Sequence, residues 1–177
     1  MAEKDNYSGM VDGINGLIDR QIFANEKIYS NELERVFTRS WLLIGHETQI
    51  PNNGDFISSR MGAESVILCR DSNRKIHVFL NTCTHRGMKV CLYDEGNTAT
   101  FTCPFHAWSF ATDGKLVGVP HEKDLYSKSL DKEKWSLIEV AQMYNYKGSI
   151  WATWDESAPN FIEYLGGAKD HLDLALD

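Results

Sequence analysis

Two short segments of the chain each contain a cysteine and a histidine. In "NTCTHRGMKV", Cys83 and His85 are two residues apart, and in "TCPFHAWSF", Cys103 and His106 are three apart. Thiolate and imidazole together are the protein ligands of zinc sites and of some iron–sulfur centres. We therefore expect these four side chains to bind one metal centre.

Each segment contributes one cysteine and one histidine, and this arrangement distinguishes a zinc site from an iron–sulfur cluster. A zinc site of two cysteines and two histidines usually takes its cysteines from one segment and its histidines from another. In one kind of two-iron cluster, one iron binds both thiolates and the other binds both imidazoles, so each segment would contribute one ligand to each iron. We expect a [2Fe–2S] cluster, and a zinc-stabilised binding module remains the alternative for the same residues.

The other two cysteines lie in apolar stretches, Cys69 in "ESVILCR" and Cys91 in "VCLYDEG". A small buried thiol is the expected role of each. Two disulfides among four cysteines would have three possible pairings, but the histidines beside Cys83 and Cys103 argue against a disulfide framework. Surface or structural roles are expected for the remaining histidines, His46, His77, His121 and His171.

The composition excludes several classes of protein. The chain has 177 residues and a net charge of −7, and this length suits a single compact core. The acidic balance argues against nucleic-acid binding, which normally needs a basic face. No stretch approaches the roughly 18 apolar residues of a membrane span, and "MAEKDNYSGM" lacks the apolar core of a secretory signal. We expect a cytoplasmic protein with reduced thiols.

The first forty residues have a mainly helical pattern. In "SNELERVFTRSW", Asn31 is the predicted N-cap, and Glu34 three residues later completes a capping box. Apolar residues then recur at helical spacing and predict one buried helix face. They are Leu33, Val36, Phe37 and Trp41.

After Trp41 the pattern changes to short β-rich runs separated by turn signals. The predicted strands are "WLLIGH", "DFISSRM", "ESVILCR", "KIHVFLN", "TATFTC", "AWSFA", "KLVGV", "WSLIEVAQMYNY" and "SIWATW". Turns are expected at "PNNGD", "DSNRK" and "TDGK". This pattern predicts an antiparallel β-sandwich or barrel-like domain with the candidate ligands in its loops. A short helix broken at Gly166 and Gly167 is expected in the tail.

The order C-x-H then C-x-x-H, with Gly87, Pro104 and Trp108 around it, resembles the Rieske [2Fe–2S] motif. From about residue 32 to residue 177, the chain is similar to the large α subunit of the Rieske non-haem iron ring-hydroxylating dioxygenases, naphthalene and biphenyl type. The resemblance is clearest in "FLNTCTHRGMKV", "TFTCPFHAWSFATDGKLVGVP" and "EKDLY".

This resemblance implies a mainly β fold, a Rieske-type antiparallel β-sandwich of several small sheets with an N-terminal helical segment. Residues 1–40 would form the helical segment, 41–155 the Rieske [2Fe–2S] domain, and 156–177 a tail leading toward a catalytic domain.

The resemblance also assigns the site residues, and it implies one cluster per chain. The iron ligands would be Cys83, His85, Cys103 and His106. Trp108 would pack beside the cluster, and Arg86 would lie at the loop surface. Phe105 and Ala107 stand where the family more often has tyrosine and glycine.

The same comparison indicates a low reduction potential. Rieske proteins of respiratory complexes have a further cysteine in each loop, where this chain has Met88 and Phe105. They also have hydroxyl donors where this chain has Trp108 and Phe110. Fewer hydrogen bonds to the sulfurs imply a potential near the bottom of the Rieske range of about −150 to +300 mV, which suits electrons derived from NAD(P)H.

Family members continue into a catalytic domain, where two histidines and a carboxylate hold a mononuclear Fe(II). The six histidines of this chain include no pair at four- or five-residue spacing, so no catalytic residue is expected within it. We expect the N-terminal part of a larger subunit, which relays electrons to that iron. A freestanding Rieske-type ferredoxin is the alternative.

The resemblance implies several partners. A ferredoxin or reductase would supply electrons, and His106 or His85 would pass them across a subunit boundary to the catalytic iron of a neighbour. The complete enzyme would be a trimer or hexamer, with or without a small β subunit, and would dihydroxylate an aromatic substrate with O₂ and NAD(P)H. Arg86 and Lys89 could attract an acidic ferredoxin or be ordinary solvated charges.

Overall fold

The computed structural model describes residues 7–126 and 130–176, which form mostly short antiparallel strands joined by turns. The predicted mainly β fold of several small sheets is confirmed. In chain order the strands are β1 (Val11–Asp12), β2 (Leu17–Ile18), β3 (Leu42–His46), β4 (Asp55–Met61), β5 (Glu64–Arg70), β6 (Ile76–Leu80), β7 (Glu95–Asn97), β8 (Thr100–Thr102), β9 (Ser109–Ala111), β10 (Leu116–Gly118), β11 (Gln142–Tyr146) and β12 (Ser149–Thr153).

The described strands form three small sheets and one short hairpin. The largest sheet has the order β6-β5-β4-β7, and two three-stranded sheets have the orders β11-β12-β3 and β10-β9-β8. Strands β1 and β2 pair only with each other. The "TDGK" turn joins β9 to β10, with the amide of Gly114 donating to the carbonyl of Ala111 at 2.9 Å. Gly114 has φ 84°, which glycine adopts without steric cost.

Strand β5 lies at the centre of the molecule and is buried on both faces. Residues 66–69 are all 0% exposed. Ile67 and Cys69 face one core cluster, which also contains Cys83 and Cys103, and the two alternate residues face a second cluster. Alternate side chains of a strand point to opposite faces, so one strand supports both cores. The candidate cysteine ligands are therefore anchored in the same packed core as the central sheet.

The helices are short. Two lie before the first long strand, one follows β10, and two lie at the C-terminal end of the described residues. They are α1 (Gln21–Ala24), α2 (Glu26–Glu32), α3 (Glu122–Leu125), α4 (Phe161–Leu165) and α5 (Ala168–Ala175), with 3₁₀ turns at Glu47–Gln49 and Lys132–Trp135 and a π-helical turn at Leu33–Phe37. The predicted break at Gly166 and Gly167 separates α4 from α5, as expected. None of the described helices combines the length and hydropathy that a membrane span requires.

The predicted helix start at Asn31 is wrong. Asn31 lies inside α2, and the N-cap is Asn25, whose side chain accepts hydrogen bonds from the amides of Lys27 and Ile28. A cap residue needs an extended backbone, and Asn25 has one, with φ −86° and ψ 117°. The side chain of Asn31 instead donates to the hydroxyl of Tyr7.

The continuous apolar helix face predicted for residues 33–41 is also wrong. The α-helix changes to a π-helical turn at Leu33–Phe37, which alters the side-chain period. Val36 is half-exposed, while Trp41 lies beyond the helix and is buried against Phe161, with ring centroids 5.3 Å apart. Tertiary packing thus decides the position of each apolar residue.

The strand predicted over residues 135–146 is shorter than expected. Only β11, at its C-terminal end, is a regular strand, and the earlier part contacts β6 through one isolated bridge between Phe79 and Glu139. Strands β1, β2 and β7 were not predicted. β7 has the sequence Glu-Gly-Asn, which has low β propensity, and its pairing with β4 fixes it instead. The domain limits at residues 40 and 155 stay a prediction.

Candidate metal centre

The first ligand loop, residues 83–88, follows β6 and is closed by two backbone hydrogen bonds of its cysteine. The carbonyl of Cys83 accepts from the amide of Gly87, and the amide of Cys83 donates to the carbonyl of Met88, both at 2.8 Å. Gly87 has φ 74°, a left-handed backbone that glycine favours. These contacts hold Cys83 and His85 on one tight turn.

The second ligand loop, residues 103–108, joins β8 to β9 and repeats this turn. The carbonyl of Cys103 accepts from the amide of Ala107 at 2.9 Å, and the amide of Cys103 donates to the carbonyl of Trp108 at 2.8 Å. Ala107 has φ 57°, so this loop uses a left-handed residue at the same position. The two loops share one backbone turn, although His85 follows its cysteine by two residues and His106 by three.

Asn81 fixes the base of the first loop, and sequence reasoning missed it. Its side-chain carbonyl accepts from the amides of Val90 and Cys91 at 3.1 and 2.8 Å, and its side-chain amide donates to the carbonyl of Cys91 at 2.8 Å. Asn81 is fully buried, and buried amides need such partners. The only sequence signal is one polar residue at the end of the apolar run "IHVFLN".

The two candidate ligand thiols lie together on the core side of the loops. Cys83 and Cys103 are both 2% exposed, and no cysteine among the described residues forms a disulfide. Burial raises the pKa of the Cys83 thiol, the backbone amides of His85 and Arg86 lower it, and a hydrogen-bond contact with the Cys103 thiol raises it. Two thiolates placed side by side in this core need a cation between them.

The two candidate imidazoles also lie together, nearer the surface. The rings of His85 and His106 are edge to face, with centroids 4.8 Å apart. Burial lowers the pKa of His85, and the charges of His106 and Arg86 lower it further. His85 therefore favours the neutral form, which has a nitrogen lone pair free for a metal ion.

The pairing of like ligands is what a two-iron cluster requires. One iron of such a cluster takes two thiolates and the other takes two imidazoles, and the loops place thiol beside thiol and ring beside ring. The donor set fits a [2Fe–2S] cluster.

A family model described as the Rieske [2Fe-2S] domain matches residues 40–137. This span contains both ligand loops and the strands that support them. The chain belongs to the Rieske [2Fe-2S] domain family. The expected family resemblance is confirmed.

Several relatives of this Rieske domain are α subunits of dioxygenases. The biphenyl dioxygenase subunit alpha of Metapseudomonas furukawaii is 44% identical over 175 residues, 96% of this chain and 38% of that protein. The biphenyl 2,3-dioxygenase subunit alpha of Rhodococcus jostii (strain RHA1) is 48% identical over 168 residues, 95% of this chain and 36% of that protein. The chain thus spans little more than a third of the length of these curated relatives.

The fold has close structural counterparts as well. The crystal structure of naphthalene 1,2-dioxygenase from Rhodococcus sp. bound to indole superposes with a TM-score of 0.86 at 37% identity, covering 89% of this chain and 36% of that chain. The likeness thus includes most of this chain but little more than a third of the dioxygenase chain.

The other predicted site residues of the Rieske domain surround the ligands. The indole of Trp108 is buried and stacks on His85, with centroids 4.6 Å apart and planes 8° from parallel. The ring of Phe105 lies 3.8 Å from that of His106 and is 59% exposed. Arg86 and Lys89 are exposed. Each candidate imidazole thus has an aromatic neighbour, and the first loop also carries two exposed cations.

The cysteines and histidines outside the motif are not ligand candidates. Cys69 and Cys91 are free and buried, as expected. Burial raises the pKa of the Cys69 thiol, and nearby carboxylates raise it further, so it stays a thiol. His77 lies buried between Asp71 and Glu139, which is a structural role. The remaining histidines, His46, His121 and His171, are at or near the surface.

Proposed function

We propose that this chain is the electron-transfer domain of an aromatic-ring-hydroxylating dioxygenase α subunit, and that Cys83, His85, Cys103 and His106 bind its [2Fe–2S] cluster. The observation that supports this most directly is the grouping of thiol with thiol and imidazole with imidazole on two matching turns. When bound, such a cluster supplies reversible one-electron transfer.

The residues of the chain give the two sides of this site different roles. Cys83 and Cys103 lie in the core and keep water from the sulfur side, since both are almost fully buried. His85 and His106 are only partly buried, so the imidazole side is the short route to a partner. Electrons are expected to enter and leave there.

The reduction potential follows from the donors around the sulfurs. Backbone amides of His85 and Arg86 point at the Cys83 sulfur, whereas Trp108 and Phe110 offer no hydroxyl in the second loop. With few donors, the potential is expected near the bottom of the range of about −150 to +300 mV. That value suits reduction by a ferredoxin or reductase fed by NAD(P)H.

The mononuclear iron that activates O₂ would lie outside these residues, in a catalytic domain of the complete subunit. The relatives named above are biphenyl dioxygenase subunits, which supports dihydroxylation of an aromatic compound by the complete enzyme. A homo-oligomer, trimeric or hexameric and with or without a small β subunit, would bring one subunit's cluster to its neighbour's iron. The exposed charges of Arg86 and Lys89 would favour an acidic electron donor.

The test is a metal and spectroscopic analysis of the purified 177-residue chain. Iron, zinc and acid-labile sulfide would be measured with visible absorption, and low-temperature EPR would be recorded before and after dithionite. Two irons and two sulfides per chain, with a Rieske-type EPR signal only after reduction, are expected. A colourless protein with one zinc would overturn the proposal and leave the zinc-stabilised module.

A further inference from the structure

A segment after the second ligand loop lies across the base of the site. We call residues 135–140 the strap; it begins at the end of the 3₁₀ turn Lys132–Trp135. Its hydrogen bonds to the core join Leu137 to Gly114, Ile138 to Leu80, Val140 to Val78, and Glu139 to His77. With four anchors over four consecutive residues, the position of the strap is fixed by the central sheet.

Trp135, the first residue of the strap, contacts both ligand loops. Its carbonyl accepts a hydrogen bond from the hydroxyl of Thr84, which lies between Cys83 and His85, at 2.7 Å. Its indole packs edge to face on the indole of Trp108 in the second loop, with centroids 5.5 Å apart and planes 82° apart. One residue thus ties the two loops to the same anchored segment.

The second contact reaches an imidazole ligand through one intermediate ring. Trp108 lies parallel to His85 at 4.6 Å, and Trp135 meets Trp108 nearly at a right angle. The torsion that turns an imidazole about its Cβ–Cγ bond has a broad minimum, so the backbone of the loop does not set the ring plane. The stack on the indole of Trp108 sets this plane instead.

Among the residues that the structure describes, the ring of His106 has no buried stack of this kind. Its other ring contact is with Phe105, which is more than half-exposed. The plane of His85 is therefore set by a buried stack anchored to the strap, while that of His106 depends on a ring at the surface. The orientation of a ligand ring controls how its nitrogen bonds to the metal.

We propose that Trp135 is a positioning residue for the cluster: it fixes the plane of His85 by holding Thr84 with its carbonyl and Trp108 with its indole. This inference rests on the proposed [2Fe–2S] site. Residues that orient metal ligands typically change metal affinity by about 10–100-fold when they are replaced. Trp135 should act in that way although it touches no ligand.

The experiment compares five variants of the full 177-residue chain loaded with iron and sulfide. Trp135→Ala removes the ring contact, and Trp135→Phe keeps an aromatic edge. Thr84→Val removes the hydroxyl donor, and Thr84→Ser restores it. Ile138→Ala is the matched control, because Ile138 is a half-exposed residue of the same strap. The readouts are the EPR spectrum of the reduced protein and the rate of iron release to a ferrous chelator.

Trp135→Ala should shift or broaden the EPR signal and release iron about tenfold faster. Thr84→Val should show a smaller change of the same kind. Trp135→Phe, Thr84→Ser and Ile138→Ala should match the parent chain. A parent-like spectrum and release rate in Trp135→Ala would overturn the inference, as would equal changes in Ile138→Ala.

If Trp135→Ala yields no folded protein, the comparison of Thr84→Val with Thr84→Ser decides alone. A Thr84→Val variant with the EPR spectrum and iron-release rate of the parent chain then overturns the inference. A parent chain that binds zinc and no [2Fe–2S] cluster would instead overturn the proposed function, and this inference with it. The two failures are thus distinguished by the unmutated chain.

Discussion

Gly87 and Ala107 occupy the same position in the two ligand loops: the amide of each donates to the carbonyl of the candidate cysteine four residues before it. Both have a left-handed backbone, with φ 74° and 57°. Glycine adopts it freely, whereas a residue with a Cβ pays about 1–2 kcal/mol of steric energy. The second loop therefore holds backbone strain that the first loop does not.

Exchanging the two residue types should change stability in opposite directions. Ala107→Gly should raise the free energy of unfolding by about 0.5–1 kcal/mol, because relief of strain exceeds the entropy that glycine adds to the unfolded chain. Gly87→Ala should lower it by about 1 kcal/mol. Among the described residues, no atom beyond its chain neighbours would lie within 4 Å of a Cβ at position 87, so that change tests the backbone alone. Urea unfolding of both variants is the measurement, and shifts of the same sign would contradict the explanation.

Two buried cysteines of one core cluster should respond differently to the same substitution. Cys103→Ala and Cys91→Ala each remove a thiol from the cluster that surrounds the ligand loops, so their packing losses should be similar. Only Cys103→Ala should lose the two irons and two sulfides and the EPR signal of the reduced protein, since only Cys103 is a ligand in our proposal. Iron and sulfide analysis of the two purified variants is the measurement.

Retention of a full cluster by Cys103→Ala would contradict the ligand assignment. Loss of the cluster from Cys91→Ala would show instead that packing around the loops controls cluster binding. His121→Ala, at an exposed histidine outside the motif, provides a second control that should keep the cluster.

Local signals in the sequence were sufficient for the central strands and for choosing the candidate ligands. Strands β4 and β5 have the predicted bounds, because apolar and β-branched residues alternate between clear turn signals. Cys83, His85, Cys103 and His106 are identified as candidates because each histidine lies within three residues of its cysteine, and their role as ligands stays a prediction. Features of this kind can be predicted without knowing which distant segments contact each other in the fold.

Features that depend on distant contacts could not be predicted in this way. Thr84 and Trp135 are 51 residues apart in sequence, and neither has a pattern that identifies the other. Asn25 was missed as the N-cap because Asn31 offers the same chemistry, and only the backbone conformation distinguishes them. The role of the buried Asn81 likewise depends on a contact that its own segment does not indicate, since its side chain binds the backbone of Val90 and Cys91.

Asp71 should make stability depend on pH in the acid range. Burial acts to raise the pKa of its carboxyl, but hydrogen bonds from the amide of Lys75, the ring of His77 and the amide of Asn73 hold it below its ordinary value. A carboxyl whose pKa is lower in the folded state adds stability above its unfolded pKa, and this contribution is lost as pH falls through the folded pKa. The free energy of unfolding should therefore decrease below about pH 4.

Asp71→Asn tests the source of this decrease. The carboxylate of Asp71 accepts hydrogen bonds from the amides of Asn73 and Lys75, both at 2.8 Å. Asparagine keeps a side-chain oxygen for these two bonds but has no group that titrates. Urea unfolding from pH 3 to 7 should show a shallower decrease in this variant than in the parent chain. Asp124→Asn, at a carboxylate whose side chain is 80% exposed, is the control and should leave the slope unchanged; an equal slope in Asp71→Asn would contradict the assignment.

Phe161 should contribute to the stability of the chain without affecting the cluster. Its ring is fully buried among Trp41, Tyr144 and Trp151, with centroids 5.1–5.3 Å apart. These residues form a core cluster separate from the one that contains the ligand cysteines. Phe161→Ala should therefore lower the free energy of unfolding by about 3–5 kcal/mol and leave the EPR spectrum of the reduced protein unchanged.

The control for this prediction is Tyr164→Ala, on the same helix α4 but 45% exposed. Its effect on unfolding should stay within about 1 kcal/mol, since it removes little buried surface. A changed EPR signal in Phe161→Ala would show that the two core clusters are coupled mechanically. In that case a changed EPR signal or faster iron release in Trp135→Ala would no longer point to the strap alone, because a distant cavity would have the same effect.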